Sequence, residues 1–327
     1  MEAPTHDPVP NRIHAVAVPR PGRLLAGAVL LILAAMGIHG LITNTNYHWD
    51  VVGKYLFTHQ ILVGVGWTLI LTVASMAIAV VLAVALAVMR RSDNPVMTTT
   101  SWLYIWFFRG TPIWTQLTFW GFIAVLYQKL SLGIPFGPQF FSIETRLLFS
   151  PSGVTAAIVG LSLNEAAYLA EIVRAGLNSV DAGQTEAAKA LGMKDGPILR
   201  RIILPQAMRV IVPPTGNETI SMLKTTSLVV AVPATIELTY AQAAIGHRTF
   251  LPLPLLVVAA IWYLAITSIL MVGQHYLEQY YGRGGAGVAV RADRGPGRSR
   301  LRRRPSRQAL IAASGTVHQD PFQDVTP

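Results

Sequence analysis

Cysteine is absent from the 327 residues, which excludes disulfides, thiolate metal sites and thiol catalysis, and leaves the redox compartment unread. Charge is scarce too. Asp, Glu, Lys and Arg make up 13% of the chain and hydrophobic residues 52%, against about 25% charged in a soluble domain. Such a composition belongs in a membrane. No G-x-x-x-x-G-K-S/T stretch occurs; Gly53-Lys54 is followed by Tyr55 and lacks the preceding glycine, so the chain has no phosphate-cradling loop of its own. The eight histidines are scattered without an H-E-x-x-H, and there is no G-x-S-x-G elbow. No catalytic site, metal site or resident cofactor is expected, and active transport would have to draw its energy from another subunit or an ion gradient.

The positive charge is localised. Of a net +10, nine arginines lie between Arg283 and Arg307, after the last apolar segment. That tail, rich in Gly, Arg, Pro and Ser, cannot bury enough apolar surface to fold alone and is expected to be disordered. On the inner side of a membrane it would favour anionic lipid headgroups; nucleic acid is not an expected partner.

Hydropathy predicts an all-α polytopic protein of about six spans with both ends inside the cell. Residues 1–23 read as a cytoplasmic segment, and the run from Leu24 to Ile42 as a retained first helix, too long for a signal-peptide core. The following NTNYHWD has no Lys or Arg, as an exported loop should, so 24–57 is read as an extra helix with its outer loop. The second span, within 58–89, ends inside at Arg90 and Arg91. In the third, about Met97 to Tyr127, Phe108-Arg109-Gly110-Thr111-Pro112 breaks the helical ladder. Arg109 has two readings, a side chain snorkelling to the inner interface or a member of the translocation path. Residues 128–150 read as an outside loop.

The fourth span, 152–179, carries Asn164, Tyr168 and Glu171 on one helical face, with Glu165 beside them and Arg174 three residues after Glu171. Glu171 and Arg174 form a natural ion pair. Glu165 has no partner nearby in sequence, which points to a water-filled cavity. The fifth span, about Ile211 to Leu238, is interrupted by Pro213-Pro214, Asn217-Glu218, Lys224-Thr225-Thr226-Ser227 and Pro233; a helix so broken should line a cavity or be buried in protein. Lys224 either pairs with Glu218 or Glu171 or meets cargo. Residues 239–251 read as an outer loop, and Pro252 to Tyr276 as the sixth span.

Between the fourth and fifth spans lies the longest charged loop, 183–213, marked cytoplasmic by Lys189, Lys194, Arg200, Arg201 and Arg209. Gln184 to Leu191 is a good helix former, Gly192 a stop, and Ile198 to Met208 a second helix with Pro205 as a kink. Glu186, Ala187, Ala188, Gly192, Ile202, Leu204 and Pro205 spell E-A-A-x3-G-x9-I-x-L-P. With FRGTPIWTQL at 108–117, LSLNEAAYLAEIVRAGLNSV at 161–180 and LKTTSLVVAV at 223–232, this loop resembles the permease subunits of polar amino-acid ATP-binding-cassette importers, the histidine/glutamate/glutamine/arginine/opine group. The resemblance covers about residues 58–280 and implies a five-helix type I importer core, with the basic tail, 281–327, outside it.

The resemblance also implies partners. Two permeases, a homodimer or a pair with a paralogue, would form the pathway, and two ATPase subunits holding ATP and Mg would bind below. The knob around Glu186 to Gly192 would dock on the ATPase, and an extracytoplasmic solute-binding protein would deliver an amino acid. Asn164, Glu165, Tyr168 and Lys224, with Arg109, are the expected pathway residues; Glu165 and Lys224 would meet the ammonium and carboxylate of a zwitterion, and Glu165 leans the cargo toward arginine, lysine or histidine. Thr225 stands where the family often has aspartate after the lysine, so an ion pair there is absent. The alternative is a gradient-driven secondary transporter, which also uses broken helices but gives no reason for the E-A-A loop.

Overall fold

The computed structural model describes residues 21–134, 136–149 and 153–282; residues 1–20 of the N-terminal segment and 283–327 of the basic tail lie outside them. Contacts group Met1–Leu277 into one compact unit and Glu278–Pro327 into another. The core and the candidate site both belong to the first unit.

In chain order, α1 (Pro21–Thr43) and the short α2 (Trp49–Tyr55) precede the long α3 (His59–Arg90), then come α4 (Pro95–Gly110), α5 (Ile113–Gly121) and α6 (Ile123–Leu126). An antiparallel hairpin, β1 (Lys129–Gly133) with β2 (Gln139–Glu144), and α7 (Thr145–Leu148) lead to α8 (Val154–Asn178). Next are α9 (Ala182–Ala190), α10 (Asp195–Ile198), a π-turn (Leu199–Ile203), α11 (Leu204–Thr225), a 3₁₀ segment (Thr226–Ala231), α12 (Leu238–Thr249) and α13 (Pro252–Gly282). Among the described residues, α1, α3, α8 and α13 are long and apolar enough to cross a bilayer. The third and fifth expected spans correspond to α4 with α5 and to α11 with its 3₁₀ extension.

The core is the seam of α3 and α8, lined by small residues that let the backbones approach: Ala79 and Ala83 face Ala156, Ala157, Ala166 and Ala170, all buried. Near its C-terminus α8 also meets α11 so closely that a Cβ on Gly176 would lie 2.2 Å from Ile211 Cγ1. A second cluster joins α3 to α12 and α13 through Ile61, Val65, Leu238, Ile245 and Leu255.

Four sequence expectations need correction. Pro213 and Pro214 do not interrupt the fifth span; α11 runs through both. Thr215 Oγ1 returns a hydrogen bond to the Ile211 carbonyl at 2.8 Å, and Gln274 Nε2 of α13 donates to the Pro213 carbonyl at 2.8 Å. The two prolines remove the ladder donors to the Arg209 and Val210 carbonyls, while these side-chain bonds tie down the next carbonyls along and hold α11 to α13. Nor is the knob's second helix separate: α10, the π-turn and α11 follow without a gap, and the wider π-turn ends just before Pro205, whose ring and missing N–H fit the first turn of α11. Finally, 239–251 is not a loop but mostly α12, N-capped by Glu237, whose Oε2 accepts from Thr239 N at 2.6 Å. In the same way, 128–150, expected as a loop, holds the β1–β2 hairpin and α7.

Candidate translocation site

The break between α4 and α5 builds the site. Thr111 is extended, as a residue before proline tends to be, and the carbonyls freed at the break need donors. Gln116 supplies them, with Nε2 reaching the carbonyls of Phe108 at 2.9 Å and Thr111 at 3.1 Å. Asn164 of α8 joins the same cluster, donating to the Phe108 carbonyl and to Gln116 Oε1, both at 3.1 Å. Asn164 therefore fixes the broken segment against α8.

Beside this joint lies a cavity of about 430 Å³, lined by Arg109 to Ile113, by Asn164, Glu165 and Tyr168 of α8, and by Glu218, Ser221 and Thr225 of α11, among others. Glu165 is only 6% exposed, and its Oε1 is buried without a hydrogen-bond partner. A buried carboxylate oxygen left bare is costly, so a cationic group entering here is welcomed. The Arg109 guanidinium lies over the Tyr168 ring, 5.2 Å from its centroid. Arg109, Gly110 and Tyr168 also border a second chamber of about 570 Å³, whose other walls include Arg90, Trp102, Trp106, Glu171 and Arg174.

Four of the five pathway residues named from sequence, Arg109, Asn164, Glu165 and Tyr168, line the first cavity together. Lys224 does not: it is exposed on α11, lines neither chamber, and makes no ion pair among the described residues. Glu171 faces the second chamber and holds Arg174 at 2.6 Å. Glu218, a cavity residue that sequence reasoning treated only as a partner for Lys224, needed the continuity of α11 through its prolines before its face could be known.

The loop motif forms a compact knob. Asp181 caps α9 through Gly183 N at 2.7 Å. At the other end Gly192 adopts φ 77, with its N–H on the Lys189 carbonyl at 2.9 Å and Met193 N on that of Ala188 at 3.1 Å, a Schellman closure. Lys189 reaches Asp195 across the turn at 3.2 Å. Ala188 and Ile198 are buried, Ile202 is half-buried, and Glu186, Ala187, Leu191, Gly192, Leu204 and Pro205 stand exposed.

The sequence pattern of the family described as "Binding-protein-dependent transport system inner membrane component" matches residues 68–282. The chain belongs to that family. It is therefore a multi-pass membrane component of a binding-protein-dependent transport system, a transporter subunit rather than an enzyme. The chain is 51% identical over 275 residues to the arginine transport system permease protein ArgU of Corynebacterium glutamicum, covering 84% of this chain and 85% of that one. It is 36% identical over 210 residues to the histidine/lysine/arginine/ornithine transport system permease protein HisM of Escherichia coli K12, covering 64% and 83%. A solved amino acid ABC transporter crystallised with histidines shares 29% identity at a TM-score of 0.57, over 70% of this chain and 97% of that one. The resemblance drawn from the loop and its flanking motifs holds, both for the family and for its amino-acid permeases.

Proposed function

We propose that this permease carries a cationic amino acid, arginine above all, through the cavity between the α4–α5 break, α8 and α11. The observation that carries the reading is the charge set of the lining: two carboxylates, Glu165 and Glu218, and one guanidinium, Arg109. Arginine at neutral pH presents the complement, two cations and one carboxylate. In this reading Glu165 and Glu218 receive the side-chain guanidinium and the α-ammonium, and Arg109 receives the α-carboxylate in bidentate fashion. The cavity volume of about 430 Å³ falls in the range of small-molecule sites, roughly 300–1,000 Å³. The arginine and histidine/lysine/arginine/ornithine specificities of the two relatives support the same class of cargo. Lys224 lies outside this site and is assigned to the surface that meets a second permease, a copy of this chain or a paralogue.

The α9 knob docks on an ATPase subunit that holds ATP and Mg, with Glu186 and the exposed Leu191 in contact. An extracytoplasmic binding protein loads the cavity from the other side, both termini lie in the cytoplasm, and the tail rests near anionic lipid. The test is ATP-dependent arginine uptake in proteoliposomes containing the permease, its ATPase and its binding protein. Glu186→Lys is expected to abolish arginine-stimulated ATP hydrolysis while the chain melts within about 0.5 kcal/mol of the original, as an exposed substitution should. Uptake that persists without ATPase and ignores the substitution would sink the importer reading in favour of a gradient-driven carrier.

A further inference from the structure

The β1–β2 hairpin has two faces of different chemistry. Its register pairs Leu130 with Ile143 and Leu132 with Phe141 on one face, and Lys129 with Glu144 and Ser131 with Ser142 on the other. Leu130 and Ile143 are half-buried at the base. Beyond them Leu132 is 76% and Phe141 62% exposed, and the tip adds Ile134, Phe140 at 72% and a fully exposed Phe136. Phe136 adopts φ 63, a left-handed conformation that glycine takes freely and a bulky side chain does not. An aromatic ring kept in that position suggests a use for the ring.

Exposed apolar residues also flank the hairpin in the chain. Leu126 at the end of α6, just before the hairpin, and Leu147 just after it in α7 are large and exposed as well, while Val125 borders a polar recess with Lys129, Glu144 and Arg146. They follow the crossing made by α4 and α5, at the end that the charge distribution of the sequence assigns to the outside. Of the five paired polar strand residues, Lys129, Ser131, Ser142 and Glu144 share the opposite face and Gln139 pairs with Gly133 beyond the bulge near the tip, so the apolar face carries no charge.

We propose that the hairpin lies in the outer leaflet of the membrane. Leu132, Phe141 and the tip phenylalanines rest at the boundary of headgroups and acyl chains, and the Ser131–Ser142 face is turned to water. A visiting binding protein is the competing occupant, but it is transient, and between visits this face would stand bare in water. The bilayer is always present beside a multi-pass chain, and the exposed Leu126 and Leu147 on either side of the hairpin are apolar like its face. The proposal rests on the outward position of the hairpin and stands or falls independently of the cargo.

Because the chain lacks cysteine, single cysteines can be placed at Leu132, Phe136 and Phe141, and at Ser131 and Ser142 for contrast. Each full-length variant is spin-labelled in vesicles of phosphatidylethanolamine and phosphatidylglycerol, and its collisions with oxygen and with an aqueous nickel chelate are compared. A disulfide formed on mild oxidation of a Ser131→Cys, Ser142→Cys double variant checks the register separately. The expected result is an oxygen-to-nickel accessibility ratio several-fold higher at 132, 136 and 141 than at 131 and 142. Free access of nickel to all five positions overturns the proposal. So does shielding of the apolar positions from both reagents, which would mark a protein contact: with a second permease if it is constant, with the binding protein if it appears only on its addition.

Discussion

Two glutamates are buried among the described residues, and they differ in what meets their oxygens. Glu237 is wholly buried and saturated: Thr68 Oγ1 donates to Oε1 at 2.7 Å, the Tyr263 hydroxyl donates to the same oxygen, and Thr239 N donates to Oε2 at 2.6 Å. It binds α3, α12 and α13 together. Glu165 is nearly as buried, but its Oε1 has no partner and it borders a cavity that also holds Glu218 and Arg109. A satisfied carboxylate closes a fold, and an unsatisfied one beside open space waits for a ligand. Burial alone would have put the two in one class.

The largest effect that sharpens this contrast is on Glu237. Replacing it by Ala removes the acceptor shared by Thr68 and Tyr263, leaving them the longer bonds to the Gly64 carbonyl and to Thr239 at 3.1 Å each, and removes the cap of α12, so Glu237→Ala should lower stability by roughly 2–4 kcal/mol, measured by thermal or denaturant melts in detergent. Glu237→Gln, which keeps an acceptor, should lose less. Glu165→Gln should do the reverse: melts unchanged within about 1 kcal/mol, since no donor is orphaned, and arginine transport efficiency reduced roughly ten- to a hundredfold. Two unit charges about 4 Å apart at an effective dielectric near 20 interact by ~4 kcal/mol; desolvation of both removes part, and about 1.4–2.8 kcal/mol remains as the fold-change.

Gly192→Ala probes the knob rather than the cavity. It forces a side chain into the left-handed region at the end of α9 and should cost about 1–2 kcal/mol, read as weakened ATPase association with the cavity's arginine affinity intact. The smallest effect is expected at Lys224. Lys224→Gln leaves cavity affinity within about twofold, or ~0.5 kcal/mol, measured by arginine binding; a loss as large as that at Glu165 would return Lys224 to the cargo site.

Much of the fold was legible in the sequence, for definite reasons. Long apolar runs marked α1, α3, α8 and α13, because hydropathy over some 20 residues needs no tertiary context. The α4–α5 break was readable from Gly110-Thr111-Pro112, and the Schellman turn at Gly192 from helix formers followed by glycine. The shared face of Asn164 and Tyr168 followed from helical period alone. What failed depended on distant partners. Pro213-Pro214 reads locally as an interruption, yet α11 runs through it, packed against α13 by the bond from Gln274, 61 residues on. The α12 helix reads as a loop because it is short and its cap, Glu237, is fixed by Thr68 and Tyr263 from other helices. That Glu218 borders the cavity and Lys224 does not depends on the rotation of α11, which sets which of them faces it. The hairpin was a different kind of miss: the alternation in KLSLG and QFFSIE around a Gly-Pro turn was available as a signal, and Gly, Pro and Phe content was read as loop instead.

Recognition of the cargo's positive charge by the unpaired oxygen of Glu165 is tested most directly on the purified permease–ATPase complex without its binding protein, so that selection upstream plays no part. Equilibrium binding of arginine and of its neutral isostere citrulline would be measured for the original chain and for Glu165→Gln. The expected result is a preference for arginine in the original that falls by tenfold or more in the variant, with unchanged melting. An undiminished preference for arginine in a well-folded Glu165→Gln protein would contradict the account and send the search for the cargo's cation site elsewhere.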